Sequence, residues 1–294
     1  MPSLKEVRNR IVSVNSTQQI TKAMKMVSAA KLRRAQDRIT QMRPYAQKLS
    51  QMLSTVSAGA EVAQSNPFTQ VRAIENVLVI VITSDRGLCG AFNANVAKAA
   101  VALINEKYGS QRAAGKVSIM PIGKKGAEFF QRRGYPILEK HIETFSRLSF
   151  DAVKLAADEA MTGFVDGKFD AVEVLYNESK NVATQILKVE QFLPIVEKKD
   201  TSKKVAIQND YIFEPSEEEI INELIPKTLK IQLYKGVLES NSAEHGARMT
   251  AMDKATDNAG ELIKELKLQY NRSRQAAITK EILEIVGGAE ALKA

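Results

Sequence analysis

The sequence has few of the residues that mark disulfide frameworks, metal centres or membrane spans. It contains one cysteine, two histidines and no tryptophan among 294 residues. A single cysteine cannot form an internal disulfide, and without a Cys/His cluster the common zinc frameworks are excluded. The longest apolar run, 77–82, is far shorter than the ~20 residues that a membrane-spanning helix needs. Charged residues lie where a secretion signal would have its apolar stretch, and we therefore expect a soluble protein of a reducing compartment.

The composition is that of a folded protein with an uneven distribution of charge. Apolar residues make up 44% of the chain and charged residues 26%, which excludes global disorder. The formal net charge is +8, yet residues 1–50 alone contain eleven Lys or Arg and only two acids. This segment therefore carries the whole positive excess. We expect it to meet an acidic partner, which would be nucleic acid, an anionic membrane or an acidic protein surface.

Residues 1–60 are predicted to form an N-terminal coiled-coil helix. The segment 3–57 lacks glycine and is rich in Ala, Lys, Arg, Gln, Met and Leu, which favour helices. Apolar residues recur at alternating spacings of three and four, first over 4–14 and again, after a polar stretch, over 35–56. Such a heptad pattern is typical of a helix packed lengthwise on another helix. Pro44 lies inside this pattern, and we expect it to bend the helix rather than end it.

Residues 215–287 are predicted to form the matching C-terminal coiled-coil helix. A capping-box pattern at Ser216–Glu219 indicates where this helix begins, and Gly287-Gly288 is expected to end it. The remaining residues, 288–294, are predicted to form a tail.

The lengths of the two predicted helices favour an antiparallel coiled coil, because the mean helix in globular proteins has only about 11–12 residues. If both helices join the middle of the chain at the same level, Leu4 lies near residue 270. Residues 271–286 would then extend beyond the partner helix.

Residues 75–210 are predicted to form an inserted Rossmann-like α/β domain. Stretches typical of buried strands alternate with helical stretches, which favours a partly parallel sheet with helices on its faces. Predicted strands cover 77–83, 117–122, 137–142, 170–176 and 184–193, the last two paired with each other. Predicted helices cover 92–107, 125–132 and 150–164. The predicted fold class is therefore α/β plus coiled coil, with long antiparallel terminal helices around the inserted domain.

Two glycine-containing turns follow predicted strands, where a nucleotide would bind in an α/β sheet. The turn 84–90 lacks the G-x-G-x-x-G spacing, and the turn 123–126 lacks the P-loop pattern. We therefore interpret both as structural turns rather than as phosphate-binding loops. Cys89 has no cysteine or histidine near it in sequence, which favours a small core residue over a nucleophile. We therefore expect no catalytic residue, no metal site and no cofactor in this chain.

Four sequence blocks resemble those of the gamma subunits of F-type ATP synthases. The most specific is 278–291, ITKEILEIVGGAEA, which is similar to the family's C-terminal signature. The other three are 16–24 (STQQITKAM), 84–93 (SDRGLCGAFN) and 243–258, with its stretches AEHGARM and AMDKATDN. The four blocks occur in the family's order, and the resemblance covers essentially the full chain.

The resemblance implies a central-stalk rotor subunit without an active site of its own. Such a subunit turns inside a ring of alternating alpha and beta subunits, which hold the nucleotide sites. Its foot is fixed to the epsilon subunit and to the membrane ring of c subunits, so that rotation couples proton flow to ATP synthesis or hydrolysis. The resemblance also implies a peripheral position at the membrane, and because the N-terminus does not resemble a transit peptide we expect a bacterial protein on the cytoplasmic face of the inner membrane. The coupling ion, proton or sodium, and the size of the c ring stay open.

Positions that match the family's motifs identify candidate contact residues. Met24 and Lys25 match the N-terminal helix segment that passes an acidic lever of the beta subunits. The C-terminal helix residues that match positions implicated in coupling or in ring contacts are Arg248, Arg274, Gln275 and Thr279. Tyr211 and Glu214 match the foot that touches the c ring. The apolar residues of 278–286 suit an apolar collar, within which no directional bond has to break on rotation.

A basic coiled-coil protein that binds nucleic acid is the alternative. Basic-zipper proteins carry their charges ahead of the heptads, where the helix enters a groove of DNA. Here Arg38, Arg43 and Lys48 lie within the heptad pattern, and an apolar face is already present over 4–14. These features favour the rotor over the nucleic-acid binder, whose DNA affinity would depend steeply on salt.

Overall fold

The computed structural model describes residues 3–57, 66–146, 148–181, 184–195 and 216–291. Two compact units are present: residues 1–29 together with 248–294, and residues 30–247. The elements in chain order are α1 (Leu4–Ser57), a 3-10 turn (Pro67–Thr69), β1 (Val77–Ile82), α2 (Phe92–Lys107), α3 (Gly109–Ala113), β2 (Val117–Ile122), α4 (Lys124–Gln131), a 3-10 helix (Glu139–Phe145), α5 (Phe150–Val165), β3 (Ala171–Ser179), β4 (Gln185–Leu193) and α6 (Glu217–Ala291). Among the described residues, no helix combines the length and the apolar character that crossing a membrane requires.

The larger unit contains a four-stranded mixed sheet with the strand order β2-β1-β3-β4. β1 lies parallel to β2 on one side and to β3 on the other, and β4 runs antiparallel to β3. All six residues of β1 are fully buried, as expected for a central parallel strand with both faces covered. The strands predicted over 77–83, 117–122, 170–176 and 184–193 are thereby confirmed.

Helices cover both faces of this sheet, because successive strand residues point to opposite sides and are apolar on each. On one face, Val77, Val79 and Val81 of β1 pack with α2 through Val96 and Ile104. On the other face, the sheet packs with α5 and with the first turns of α6, in a cluster that includes Leu78, Ile80, Ile82, Val153, Phe164, Ile221, Leu229 and Leu233. The beginning of α6 is therefore part of the core of the larger unit.

The strand predicted over 137–142 is wrong. Ile137 forms a single parallel bridge to β2, and the chain then continues as the 3-10 helix Glu139–Phe145. A parallel strand buried against helices needs consecutive apolar residues, and Glu139 and Lys140 interrupt that run. The chain therefore leaves the sheet after one bridged residue.

Both long terminal helices are confirmed, with one error at the C-terminal end. α1 continues through Pro44 without a break, while a bend at this proline stays a prediction. At the start of α6, the N–H of Glu219 donates to Ser216 Oγ (3.2 Å), as the capping pattern predicted. The predicted end at Gly287-Gly288 is wrong, because α6 continues to Ala291. Glycine costs only about 1 kcal/mol inside a helix, and no proline follows that would force an end.

Two buried tyrosines in the larger unit are hydrogen-bonded to carboxylates. The Tyr108 hydroxyl donates to Glu173 Oε1 (2.7 Å), and the Tyr176 hydroxyl donates to Glu190 Oε1 (3.0 Å). Burial, and after it the neighbouring carboxylate, raises the pKa of each tyrosine well above its usual value. In the folded protein both hydroxyls therefore stay protonated at pH values where tyrosine in an unfolded chain ionises.

We expect the free energy of unfolding to fall as the pH rises above about 10. Below that pH both states keep the tyrosine protons and the stabilisation is fully present, whereas above it only the folded chain keeps them. The loss should reach about 1.4 kcal/mol per pH unit for each tyrosine. Urea unfolding of the isolated chain at increasing pH should show this fall, with a shallower slope for Tyr108→Phe. Tyr45→Phe, at an exposed position, should leave the slope unchanged. An equal slope in both variants would contradict the prediction.

Candidate functional site

The smaller unit contains a pair of helix segments, 4–29 of α1 and 248–291 of α6. Side-chain contacts that join them include Gln18 Nε2 to the Thr256 carbonyl (3.3 Å), Thr21 Oγ1 to Thr256 Oγ1 (2.8 Å), and the Lys25–Asp253 ion pair. From Thr21 to Lys25 in α1, the partner in α6 changes from Thr256 to Asp253, which is three residues earlier in the chain. The two segments therefore run antiparallel.

The register of this pair agrees with the overlap predicted from helix lengths. Extended to the start of α1, it places Leu4 level with Ser273, about one turn from the predicted neighbour near residue 270. Ser273 and Ala277 are half-buried, and every residue over 278–289 is exposed. The part of α6 after Ala277 thus extends beyond α1.

The polar stretch in the middle of α1 belongs to the packed face of the helix. Gln18, Thr21, Lys25 and Ser28 continue the alternating spacing of residues 4–14, and all are buried or half-buried. Ser28 Oγ, for example, donates to the Met24 carbonyl (2.8 Å). A search for apolar heptads missed these positions, because their side chains are hydrogen-bonded rather than apolar. Polar side chains at such positions fix the register of a coiled coil at a cost in stability.

Three candidate residues that lie where α1 and α6 overlap are only partly accessible to solvent. Met24, Lys25 and Arg248 are each half-buried. The side chains of Lys25 and Asp253 are 40% and 48% exposed, so their ion pair is open to solvent. An ion pair this exposed contributes about 0–1 kcal/mol to stability. Lys25 can therefore exchange Asp253 for the carboxylate of a partner at little cost.

The remaining candidates lie on exposed turns of α6 or outside the described residues. Arg274, Gln275 and Thr279 are exposed, and the Thr279 hydroxyl donates to the Gln275 carbonyl (2.9 Å) within the helix. They lie at or beyond the level of Leu4 and so on a different part of the pair from Lys25. Tyr211 and Glu214 lie outside the described residues.

An exposed apolar surface follows the end of the helix overlap. We call Ile278–Val286 the apolar terminal segment, since its exposed large apolar residues are Ile278, Ile282, Leu283, Ile285 and Val286. Their exposed fractions run from 48% for Ile278 to 71% for Ile285. Exposed apolar residues grouped on one part of a helix are typical of surfaces that contact another protein.

The turn after β2 does not offer free donors to a phosphate. The first N–H groups of α4 already donate within the chain, from Lys124 to Asp85 Oδ1 (3.0 Å), from Lys125 to the Ser84 carbonyl (3.0 Å) and from Gly126 to Thr83 Oγ1 (2.8 Å). An anion site at a helix start depends on such groups being available. The N–H groups at the start of α4 therefore hold the turn 123–126 in place through bonds within the chain, while the structural role expected for the turn 84–90 stays a prediction.

Helix α6 packs beside β1 and β3 near the usual ligand position of an α/β sheet, and a polar cavity of about 400 Å³, lined by residues that include Ser179 and Glu239, lies at the carboxyl end of β3. Such sheets bind ligands at the carboxyl ends of the strands where the strand order reverses, which is between β1 and β3 here. A Cβ added to Gly236 of α6 would lie 3.4 Å from the Tyr176 ring, and Ala243 packs with Cys89 and Phe92. Cys89 is only 1% exposed, which confirms it as a core residue.

Comparison with known proteins identifies the family. The sequence matches a family model described as ATP synthase over residues 3–292. The ATP synthase gamma chain of Cytophaga hutchinsonii is 62% identical over 293 residues, which make up 99% of each chain. This chain belongs to the ATP synthase gamma chain family. The gamma chain of Flavobacterium psychrophilum is 55% identical over the full length of both chains. This membership confirms the predicted function, that of the rotor subunit of an ATP synthase.

Solved structures with the same fold come from ATP synthases of two protists. A chain from the Euglena gracilis mitochondrial ATP synthase superposes with a TM-score of 0.68 at 21% identity, covering 98% of this chain and 94% of that one. A chain from the Tetrahymena thermophila central stalk and c ring gives 0.58 at 23% identity, covering 80% and 99%. At these identities the likeness shows the fold alone. It confirms long terminal helices with a small mixed sheet between them in sequence.

Proposed function

We propose that this chain is the central-stalk rotor of an F-type ATP synthase and performs no chemistry itself. Its rotation couples ion flow through the membrane ring to ATP synthesis or hydrolysis in the catalytic ring. The observation that carries the proposal is the 62% identity to a gamma chain over nearly the whole length of both proteins.

The partners we propose are the alpha and beta subunits, the epsilon subunit and the c-subunit ring. The basic face of α1 supports an acidic protein partner, because Lys5, Arg8, Arg10 and Lys22 are all exposed. Opposite charges on two proteins increase their association rate more than their affinity, and salt reduces this effect. Attachment to the bacterial inner membrane, on its cytoplasmic side, is then peripheral and passes through the complex.

The candidate residues divide between two kinds of contact. Lys25, beside Met24, offers a charge that exchanges carboxylate partners as the rotor turns. The apolar terminal segment offers a surface without directional bonds, which a surrounding apolar collar can contact equally at every angle. Arg248 in the overlap, and Arg274, Gln275 and Thr279 beyond it, are proposed to contact the ring, and Tyr211 with Glu214 the c ring.

Reconstitution with the catalytic subunits tests the rotor function. The chain is mixed with alpha and beta subunits of a closely related ATP synthase, and the product is separated by size and weighed by native mass spectrometry. We expect one copy of this chain per catalytic hexamer and ATP hydrolysis that depends on its presence. A chain that stays separate from the hexamer, or hydrolysis that is the same without it, would refute the proposal.

Substitutions at the Lys25–Asp253 pair distinguish a partner contact from a contact within the chain. Lys25→Met removes the cation, whereas Asp253→Asn breaks the same ion pair and leaves the cation in place. Because the pair is solvent-exposed, both variants should stay within about 1 kcal/mol of the wild type in urea unfolding. We expect ATP-driven ion pumping by the assembled complex to fall several-fold in Lys25→Met only. Equal losses in both variants would assign the effect to the intrachain pair instead.

A further inference from the structure

A buried carboxylate joins three elements of the larger unit at one point. The side chain of Glu239 in α6 is 1% exposed. Its Oε1 accepts a hydrogen bond from Arg43 Nη2 of α1 (3.1 Å), and its Oε2 accepts one from the N–H of Ser179, the last residue of β3 (3.3 Å). Less than one turn further along α6, Ser242 Oγ donates to Ser179 Oγ (3.4 Å). α1, α6 and the sheet therefore meet at the Glu239 carboxylate.

The contribution to stability does not explain why a charged side chain occupies position 239. Burying a carboxylate is costly, and an apolar side chain of similar volume often packs a helix on a sheet at lower cost. The carboxylate fixes the orientation of α6, because its two oxygens accept hydrogen bonds from two different donors. One donor is positioned by α1 and the other by β3. Hydrogen bonds to an ionised carboxylate depend on the angle at which the donor approaches. They oppose both rotation of α6 about its own axis and sliding of α6 along β3.

We propose that Glu239 and Arg43 are positioning residues of the rotor, which fix α1 and α6 to the sheet. A force applied to the α/β elements then turns both helices together. Without the contacts of Glu239 with Arg43 and Ser179, α6 moves relative to the end of β3 when a force acts on the sheet. Part of each rotational step is then not transmitted to the helices. The inference rests on the proposed rotor function and adds to it the residues through which torque enters the helices.

The chain offers a matched control for the chemistry of this tie. Glu173 of β3 is also buried, with its side chain 3% exposed, and it pairs with Lys107 of α2. The cations of the two pairs are similarly half-exposed, at 52% for Arg43 and 44% for Lys107. The control pair joins only α2 to the sheet and touches neither terminal helix. Breaking it should cost stability without changing the transmission of force.

The test compares ion pumping with ATP hydrolysis in a complete ATP synthase that contains this chain. Inverted membrane vesicles report ATP-driven uptake of the coupling ion, as acidification for protons or as sodium uptake for sodium, and the same vesicles report ATP hydrolysis. We expect Arg43→Met and Glu239→Gln to lower the ratio of pumping to hydrolysis several-fold, with hydrolysis retained. In Glu239→Gln, the amide NH2 faces one of the two donors and leaves it without an acceptor. Arg43→Lys keeps the charge and should restore most of the ratio, while Lys107→Met and Glu173→Gln should leave it at the wild-type value.

Each outcome bears on the proposal. Because the Arg43 side chain is half-exposed, Arg43→Met should assemble as the wild-type chain does, and a failure to assemble would overturn a role in force transmission. A wild-type ratio in Arg43→Met, no rescue by Arg43→Lys, or an equal loss in Lys107→Met would also overturn it. A wild-type chain that neither assembles nor supports pumping would refute the rotor function itself, which separates the two failures.

Discussion

Gly123→Val is expected to destabilise the α/β elements by about 4 kcal/mol or more, which is a large fraction of the stability of a typical domain. Gly123 follows β2 with φ +112°, a backbone conformation that L side chains rarely adopt. A Cβ at this position would lie 2.1 Å from the Thr83 carbonyl oxygen, which belongs to the backbone and cannot rotate away. The valine would therefore push apart the turns that follow β1 and β2.

Urea unfolding followed by circular dichroism measures this effect, and Gly134→Ala is the matched control. Gly134 also has positive φ, +71°, but a Cβ there would meet nothing within 4 Å. Its substitution should cost only the conformational strain, about 1–2 kcal/mol. Gly123→Ala, compared with Gly134→Ala, gives the cost of the close contact for the same added atom, since a Cβ meets the Thr83 backbone only at Gly123. Similar losses in both would mean that the backbone after β2 moves aside freely, in contradiction to the close contact with Thr83.

The sheet could be predicted largely because its central strands are short and continuously apolar. Val77–Ile82 has no polar residue, and a run of six such residues before a glycine-containing turn is typical of a buried parallel strand. The same reasoning failed at 137–142, because Ile137 and Ile142 suggest a strand only if the charged residues between them are ignored. Whether such a segment forms a strand depends on the neighbouring strand with which it can pair, and the sequence pattern does not show this.

The packing of α6 shows why a single heptad pattern was incomplete. In the sequence of α6, spacings of three and four from Ile221 give a face with Leu224, Ile231 and Leu238, of which Ile221, Ile231 and Leu238 are buried. A second set of apolar residues recurs every four positions and packs on the sheet, consisting of Ile221, Ile225, Leu229, Leu233 and Val237. A helix that packs on two neighbours needs two apolar faces, and the pattern of one face hides the other.

The candidate site could be predicted only where the signal is local. The apolar terminal segment is visible in the sequence, because apolar residues continue after the point where the partner helix starts. The polar layer around Thr21 and the tie at Glu239 could not be predicted, since each depends on a partner more than a hundred residues away in sequence. For Glu239, the sequence shows only one acid among many on a helix, and its burial is what distinguishes it.

Truncation after Ala277 is expected to leave the chain folded while impairing the complex. The removed residues, 278–294, begin where the described residues of α6 are all exposed, so the truncation should remove no packing between α1 and α6. The midpoint of thermal unfolding should stay unchanged, and circular dichroism should lose only the helical signal of the removed turns. In the assembled enzyme we expect several-fold weaker ATP-driven pumping, because the apolar terminal segment no longer contacts its collar.

Truncation after Gly287 is the control, since it shortens the chain but keeps the apolar terminal segment of Ile278–Val286 intact. It should pump as the full-length chain does. A matching loss in both truncations would assign the effect to the last seven residues, and a lower unfolding temperature after truncation at Ala277 would show that these turns pack on the rest of the chain. Loss confined to the shorter variant would instead indicate that an exposed apolar helix end, which contributes nothing to folding, is retained for contact with a partner.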